Sequence, residues 1–230
     1  MREQGLNPAK KEDRQEFARW TYYDMVRDLT AFAKKYNPDF HVCYNKGHLG
    51  YLDKPVKEDY SYFSFESLPG VEWGYLDFPV SAKYMRNFGK ECLGLTSRFH
   101  TEWGDFHAFR NEAAMEYEVF SMLAHGCKCT IGDQMDYWGK LNTDMYKQIG
   151  RVYKSVEEKE PWCENAKPIS EIGVFTAEEF YATGVAGHIP GASEGVARLL
   201  MELGYQFDFI DSTLDFDKYR LLILPDVIPV

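Results

Sequence analysis

Apolar side chains along this chain recur with two different spacings, one typical of helices and one typical of short strands. Apolar and aromatic residues spaced by three or four positions predict helices at residues 12–36, 79–91, 111–125, 142–158 and 191–203. Short runs rich in β-branched and aromatic residues predict strands at 40–44, 60–65, 92–97, 127–131, 172–175, 207–210 and 221–225. In the first helix, we expect a stripe of aromatic residues to pack against the rest of the protein, namely Phe17, Trp20, Tyr23 and Phe32.

Strands and helices alternate along most of the chain, which favours parallel strands joined by crossover helices. Polar residues follow four of the predicted strands at their carboxyl ends, namely Asn45, Glu66, His100 and Asp133. Ligands and catalytic groups of parallel α/β folds lie at that end of the strands. We therefore expect the functional residues to gather at one edge of the sheet.

The character of the sequence changes near residue 160, which predicts two domains. Residues 1–160 form the first domain, residues 161–168 a linker, and residues 169–230 a second unit with a β-α-β pattern. The second unit has too few strands for a complete doubly wound sheet, so we expect it to be part of a larger flavodoxin-like domain.

Composition and charge narrow the class of partner. Lys and Arg number 26 against 36 Asp and Glu, and no basic patch is visible, so nucleic-acid binding is disfavoured. No apolar run is long enough to span a membrane, and residues 1–14 lack the pattern of a secretory signal. The five cysteines are an odd number without disulfide-framework spacing, which predicts a cytoplasmic location. Cys127 and Cys129 are interpreted as small buried residues, with a metal or redox role as the alternative.

Glu66 is the first candidate for chemistry because it ends an aromatic strand. We expect Phe63, Phe65 and Trp73 to surround its carboxyl group and exclude part of the water around it. Exclusion of water raises the pKa of a carboxyl group and makes a general acid available near neutral pH. The alternative is a solvated loop carboxylate.

The densest group of chemically active side chains lies at residues 97–107. This segment holds Arg98, His100, Glu102, Trp103, Asp105 and His107. Aromatic rings interleaved with hydrogen-bonding groups suit a sugar, which presents an apolar face and a rim of hydroxyls. A metal site built from the His and acidic residues of this loop is the alternative, although their spacing matches no standard signature.

Asp133 and Gln134 follow a later strand, and Asn45 and His48 follow an earlier one. Each of these residues either binds a ligand or fixes its own loop. The sequence contains no nucleophile elbow, phosphate-binding loop or zinc-protease helix, so those enzyme classes have no local support.

These segments together resemble a known family. Residues 97–106 and 124–134, Glu66-Ser67-Leu68-Pro69 with Trp73-Gly74-Tyr75, and residues 152–162 resemble the α-L-fucosidase-like barrel glycoside hydrolases, the group long labelled hypothetical glycosyl hydrolases. Residues 191–225 resemble the flavodoxin-like trimerisation domain of β-galactosidases. The resemblance implies an α/β chain that is the C-terminal half of a (β/α)8 TIM barrel followed by part of a flavodoxin-like domain.

The resemblance also implies retaining hydrolysis of a sugar by two carboxyl groups about 5–5.5 Å apart. The family nucleophile is an Asp after the fourth barrel strand, and we expect this chain to lack it because the sequence begins in the following helix. Glu66 is then the acid/base. The implied sugar-binding residues are Asn45, His48, Trp73, Arg98, His100, Glu102, Trp103, Asp133 and Gln134, with no cofactor.

Half of a barrel exposes two sheet edges and its inner face. We therefore expect this chain to form a homo-oligomer or to be part of a longer protein, and to have no turnover alone. Two other functions stay open, a non-catalytic carbohydrate-binding or assembly module and a metal-dependent hydrolase that uses residues 100–107.

Overall fold

The computed structural model describes residues 1–70, 73–181 and 189–229. Its helices are α1 (Lys11–Tyr36), α2 (Asp77–Met85), α3 (Glu112–Ala124), α4 (Thr143–Glu157), α5 (Glu160–Cys163) and α6 (Gly191–Glu202). Its strands are β1 (Phe63–Glu66), β2 (Cys92–Ser97), β3 (Lys128–Gly132), β4 (Ile172–Phe175), β5 (Phe207–Ile210) and β6 (Leu221–Ile223). Short 3₁₀ segments lie at Arg2–Gln4, Tyr51–Asp59, Arg86–Phe88 and Ala177–Glu179.

The first sheet is parallel, with the order β1-β2-β3, and α2 and α3 are its crossover helices. One face of this sheet is buried under these two helices. Phe65 stacks on Phe78 of α2 with ring centroids 5.3 Å apart, and Gly94 lies against Met122 of α3. The helix-covered face therefore supplies the apolar core of the first unit.

The opposite face of the first sheet is less buried. Strand residues alternate between the two faces, so Ser64 and Glu66 of β1 share a face with Leu93 and Leu95 of β2, their partners in the register. All four side chains are only partly buried, as is Thr130 of β3. A sheet with one partly open face differs from a complete parallel sheet, whose two faces are both covered.

The second sheet is also parallel, with the order β5-β4-β6. Helix α6 connects β4 to β5, and α2 packs against both β5 and α6. One cluster of buried side chains runs from Phe63 and Phe65 of the first sheet to Phe207 and Phe209 of the second. Helix α2 is therefore shared by the cores of both units.

Ion pairs with buried carboxylates also hold the two units together. Arg86 Nε donates to Asp208 Oδ1 at 2.9 Å, and Lys54 Nζ donates to Asp211 Oδ1 at 2.6 Å. Asp211 also accepts a hydrogen bond from Tyr84 at 2.7 Å. Since each pair joins residues more than 100 positions apart in sequence, the first unit and the second unit fix each other's orientation.

The alternating α/β pattern and the parallel strands are confirmed. Residues 40–44 are wrongly predicted to be a strand. There, Ser61 N donates to Val42 O at 2.8 Å, as in a strand pair. Val42 N, however, donates to the Ser61 hydroxyl group at 2.9 Å and not to a backbone carbonyl, so the hydrogen-bond ladder of a sheet does not continue. The stripe of α1 is also only partly packed, because Phe32 is 62% exposed. Helix α5 extends into the first residues of the predicted linker.

Candidate active site

The register of the first sheet places Arg98 beside Asp133. Ser97 pairs with Gly132 at the ends of β2 and β3, so the next residue of each strand leaves the sheet at the same edge. Arg98 Nε donates to Asp133 Oδ1 at 2.6 Å, and Arg98 N donates to Gly132 O at 3.0 Å. Both charged side chains are buried, with 3% and 7% of their surface exposed. A buried arginine–carboxylate pair therefore closes this end of the sheet.

Aromatic rings surround this ion pair. The Arg98 guanidinium lies 4.3 Å from the Phe99 ring centroid and 5.3 Å from that of Phe106. Trp103 packs edge-on against Phe99, with centroids 5.2 Å apart, and its ring covers Gly132. A Cβ atom at Gly132 would lie 2.7 Å from the indole, so glycine at this strand end allows the tryptophan to approach. Trp103 is nevertheless 49% exposed and offers a ring face to a ligand.

The ion pair keeps unused hydrogen-bonding capacity. Within the described part of the chain, Arg98 Nη1 and Asp133 Oδ2 are buried and have no hydrogen-bond partner. An unsatisfied buried polar atom costs about 1–3 kcal/mol. Burial and the nearby Asp133 carboxylate raise the pKa of Tyr146, which keeps this phenol protonated beside the pair. The pair thus retains one donor and one acceptor that the described residues do not satisfy.

Glu66 stands at the carboxyl end of β1, at the same edge of the sheet. Its amide donates to Gly47 O at 3.1 Å, and the Trp73 ring covers Gly47, where a Cβ atom would lie 2.5 Å from the indole. Phe63 and Phe65 do not surround its carboxyl group as predicted, because they point to the opposite, helix-covered face of the strand. Of the three predicted aromatic neighbours, Trp73 alone lies at the strand end with Glu66.

The loops after β1 and β2 touch each other. A Cβ atom at Gly70 would lie 2.9 Å from His100 O, and Ser67 N donates to Leu95 O at 2.6 Å. His100 and Glu102 are both exposed on the second loop. Gln134 is exposed after β3, and its amide donates to Asp133 Oδ1 at 2.7 Å. The structure thus gathers most of the predicted residues at one edge of the sheet.

The metal-binding alternative finds no geometric support. In residues 1–70, 73–181 and 189–229, no three His, Cys, Asp or Glu side chains are close enough to hold one ion. In the loop at residues 97–107, Asp105 Oδ1 instead accepts from His107 N at 3.3 Å, and Asp105 N donates to Glu102 O at 3.1 Å. These bonds fix the shape of the loop.

Asn45 and His48 flank Gly47, whose carbonyl accepts from Glu66 N. Asn45 is exposed. His48 is buried, with Nδ1 2.6 Å from Ser81 Oγ and Nε2 hydrogen-bonded to Glu178 of the second unit. Both nitrogens of the His48 ring are therefore used within the protein, in a contact that sequence reasoning did not indicate.

The His48–Glu178 pair should make stability depend on pH. Burial alone would lower the pKa of His48, but the carboxylates of Glu178, Asp77 and Asp53 outweigh it and raise that pKa, while His48 helps to lower the pKa of Glu178 against burial. The stabilisation by this pair is therefore complete below about pH 6.5, which is the pKa of histidine in the unfolded chain, as long as Glu178 stays ionised. Its contribution is lost as pH rises through the folded pKa of His48.

We expect urea unfolding of the native chain to show a free energy that falls as pH rises above about 6.5. The His48→Gln variant should lack this part of the slope, because glutamine does not titrate. His41→Gln is the control, since His41 is exposed. Parallel pH profiles for the native chain and His48→Gln would contradict the role of the pair.

A buried network behind the site was also missed. Arg110 is paired with Glu118 of α3, Glu118 accepts from Thr96 of β2, and Arg110 Nη1 donates to Phe99 O at 3.1 Å. The available signal was Glu118 itself, a charged residue on the apolar face of the helix predicted at 111–125. A charge at such a position indicates a buried partner.

The described residues contain no helix that is long and apolar enough to cross a membrane.

A scan of protein-family models matched none, and a search of curated proteins also gave no match. Among solved structures, α-L-fucosidase isoenzyme 2 from Paenibacillus thiaminolyticus is similar over 98% of this chain, with a TM-score of 0.89 and 33% sequence identity. This chain spans 34% of the length of that enzyme. The predicted resemblance to an α-L-fucosidase-like glycoside hydrolase is confirmed.

Proposed function

From this similarity to one part of an α-L-fucosidase, we propose that the chain carries the acid/base carboxyl group and one wall of the sugar site of a retaining glycoside hydrolase. The observation that carries the proposal is the shared position of Glu66, Arg98 and Asp133 at the carboxyl ends of three adjacent parallel strands. Catalytic groups of α/β barrels occupy that position.

Glu66 acts first as an acid and then as a base in this proposal. As an acid it protonates the glycosidic oxygen of the leaving group, and as a carboxylate it activates the water that releases the sugar. The partner nucleophile, about 5–5.5 Å away, comes from a segment outside these residues. Trp73, whose ring covers Gly47, lies at the same strand end as Glu66.

The wall of the site binds the sugar through two kinds of contact. Trp103, which is 49% exposed, stacks on the apolar face of the ring, and the buried Arg98–Asp133 pair holds the strand ends behind it in place. His100, Glu102 and Gln134 contribute from the exposed rim.

The partly open sheet face supports the proposal that these residues form half of a barrel. An exposed apolar row on α1 supports it as well: Met25, Leu29, Phe32 and Tyr36 are between 42% and 73% exposed.

In the second unit, the order β5-β4-β6 is the order in which a flavodoxin-like sheet begins, with the first strand between the second and third. We propose that a longer chain or a second copy covers these surfaces. The cytoplasmic location stays a prediction from the cysteine count.

A non-catalytic carbohydrate-binding module is the second candidate. It is favoured because this chain covers only 34% of the length of the similar enzyme, so it does not contain all parts of that enzyme. Aryl α-L-fucoside and aryl β-D-galactoside assays separate the two functions, on this chain alone and on a form in which a longer chain or a second copy covers the open sheet. We expect fucoside hydrolysis by the covered form and none by the chain alone. A covered form that binds L-fucose but hydrolyses neither substrate would favour the binding module.

A further inference from the structure

Glu178 of the second unit reaches into the loop that precedes β1. Its carboxylate is buried, with 7% of the side chain exposed, and is hydrogen-bonded to His48 Nε2. The other carboxylate oxygen accepts from Tyr51 N at 2.7 Å. A Cβ atom at Gly50 would overlap this carboxylate, so glycine at that position allows the side chain to enter. One buried side chain of the second unit thus holds both ends of the segment 48–51.

The same loop supports the strand end that carries Glu66. His48 Nδ1 lies 2.6 Å from Ser81 Oγ of α2, so the imidazole ring is held from two sides. The preceding residue, Gly47, accepts a hydrogen bond from Glu66 N at 3.1 Å and lies against the Trp73 ring. A continuous series of contacts therefore leads from the carboxylate of the second unit to the acid/base candidate, and networks of this kind couple distant groups.

The carboxyl ends of the second sheet face this loop. Tyr51 N bonds to Glu178 after β4, and Lys54 Nζ donates to Asp211 Oδ1 after β5 at 2.6 Å. In parallel α/β folds, functional groups lie at this edge of the sheet. In this protein the edge contacts the segment Tyr51–Asp59 of the first unit, so the second unit directs its polar strand ends at the loop that supports the candidate site.

The charges around His48 come from three elements. Glu178 contacts it from the second unit, Asp77 Oδ1 lies 3.9 Å from its Nδ1 at the start of α2, and Asp53 belongs to the 3₁₀ segment. Burial lowers the pKa of His48, but the three carboxylates outweigh burial and raise that pKa. Burial raises the pKa of Glu178, and His48 and Lys46 help to bring it below its usual value. The contact is therefore a charged pair until pH rises through the folded pKa of His48.

We propose that Glu178 is a positioning residue: through His48, it fixes the loop on which Glu66 rests, so that the second unit takes part in building the sugar site. This inference rests on the proposed function. An acid/base must stand within hydrogen-bond reach of the glycosidic oxygen, and a displacement of about 1 Å can cost about 10²-fold in rate. Removal of the Glu178 charge loosens the loop and leaves the acid/base itself in the chain.

The first test follows the His48 ring signals and the Trp73 indole N–H signal of the 230-residue chain in a pH titration. In the native chain, both should change with the same midpoint. Glu178→Gln should lower both midpoints by at least about one pH unit, because the carboxylate that raises the pKa of His48 is gone. His48→Gln should abolish the change at Trp73. Asp211→Asn is the matched control, since Asp211 is also buried and joins the two units through Lys54.

The second test is kinetic and uses a form of the protein that also supplies the nucleophile. With an aryl α-L-fucoside, Glu178→Gln should lower kcat by about tenfold and leave KM within about twofold, because a misplaced acid/base weakens the transition state more than the bound substrate. Asp211→Asn should keep both constants within about twofold of the native values. Thermal melting shows that each variant is folded at the temperature of the assay.

The outcomes that overturn the inference differ in what else they remove. A Trp73 midpoint that ignores Glu178→Gln, or a native kcat in that variant, removes the positioning role and leaves the acid/base role of Glu66 standing. Equal losses of kcat in Glu178→Gln and Asp211→Asn assign the effect to the joining of the two units in general. A native form that hydrolyses no fucoside removes the proposed function and the positioning role with it.

Discussion

In a form of the protein that also supplies the nucleophile, Glu66→Gln is expected to lower the rate of aryl α-L-fucoside hydrolysis by about 10²- to 10⁴-fold, the usual contribution of general acid–base catalysis. Glutamine keeps the size of the side chain but transfers no proton. Sodium azide should restore part of the rate with an activated aryl leaving group, because the anion attacks the glycosyl intermediate without a general base. Steady-state kinetics with and without azide measure both effects.

Glu91→Gln is the matched control for this change. Glu91 precedes β2, at the edge of the sheet away from the candidate site, and forms an exposed pair with Lys128. The same substitution there should leave the rate within about twofold, since exposed ion pairs contribute little. If Glu66→Gln keeps the native rate, Glu66 is not the acid/base.

Glu118→Leu should be the most destabilising of the substitutions considered, because it leaves the Arg110 charge buried without its partner. Glu118 is 1% exposed and Arg110 5%. Removal of one member of a buried ion pair costs about 3–5 kcal/mol of unfolding free energy. Urea unfolding at pH 7 measures the loss, which is large beside the total stability of a typical domain.

Two further variants separate this buried pair from exposed ones. Glu112→Leu removes the partner of Arg151 at the surface of the same helix and should lower the unfolding free energy far less, because that pair is exposed to solvent. The double variant Arg110→Met with Glu118→Leu should recover much of the stability, because no buried charge remains. A loss for Glu118→Leu no larger than that for Glu112→Leu would show that the buried pair is not a stabilising element.

Local sequence signals were sufficient for much of the fold. The strands at Cys92–Ser97 and Ile172–Phe175 match their predictions residue for residue. The third predicted helix begins at Asn111, which in the structure is its N-cap, where its side chain accepts from Ala113 N and Ala114 N. These elements were predictable because the spacing of apolar residues and the capping residue determine them within a few positions.

Contacts between distant segments were not predictable in the same way. His48 and Glu178 lie 130 positions apart, so no local pattern indicated that His48 is used inside the protein. The predicted aromatic surroundings of the Glu66 carboxyl group are wrong for a different reason. Phe63 and Phe65 are its neighbours in sequence, but the pleat of the strand turns them to the other face.

The most direct test of the sugar site uses the indole N–H signals of the five tryptophans during a titration of this chain with L-fucose. If the carboxyl ends of β1, β2 and β3 form the wall of a fucose site, the signals of Trp73 and Trp103 should shift together and saturably. Those of Trp20 and Trp162 should stay in place. Shifts confined to Trp20 or Trp162, or none at all up to high sugar concentration, would contradict the account.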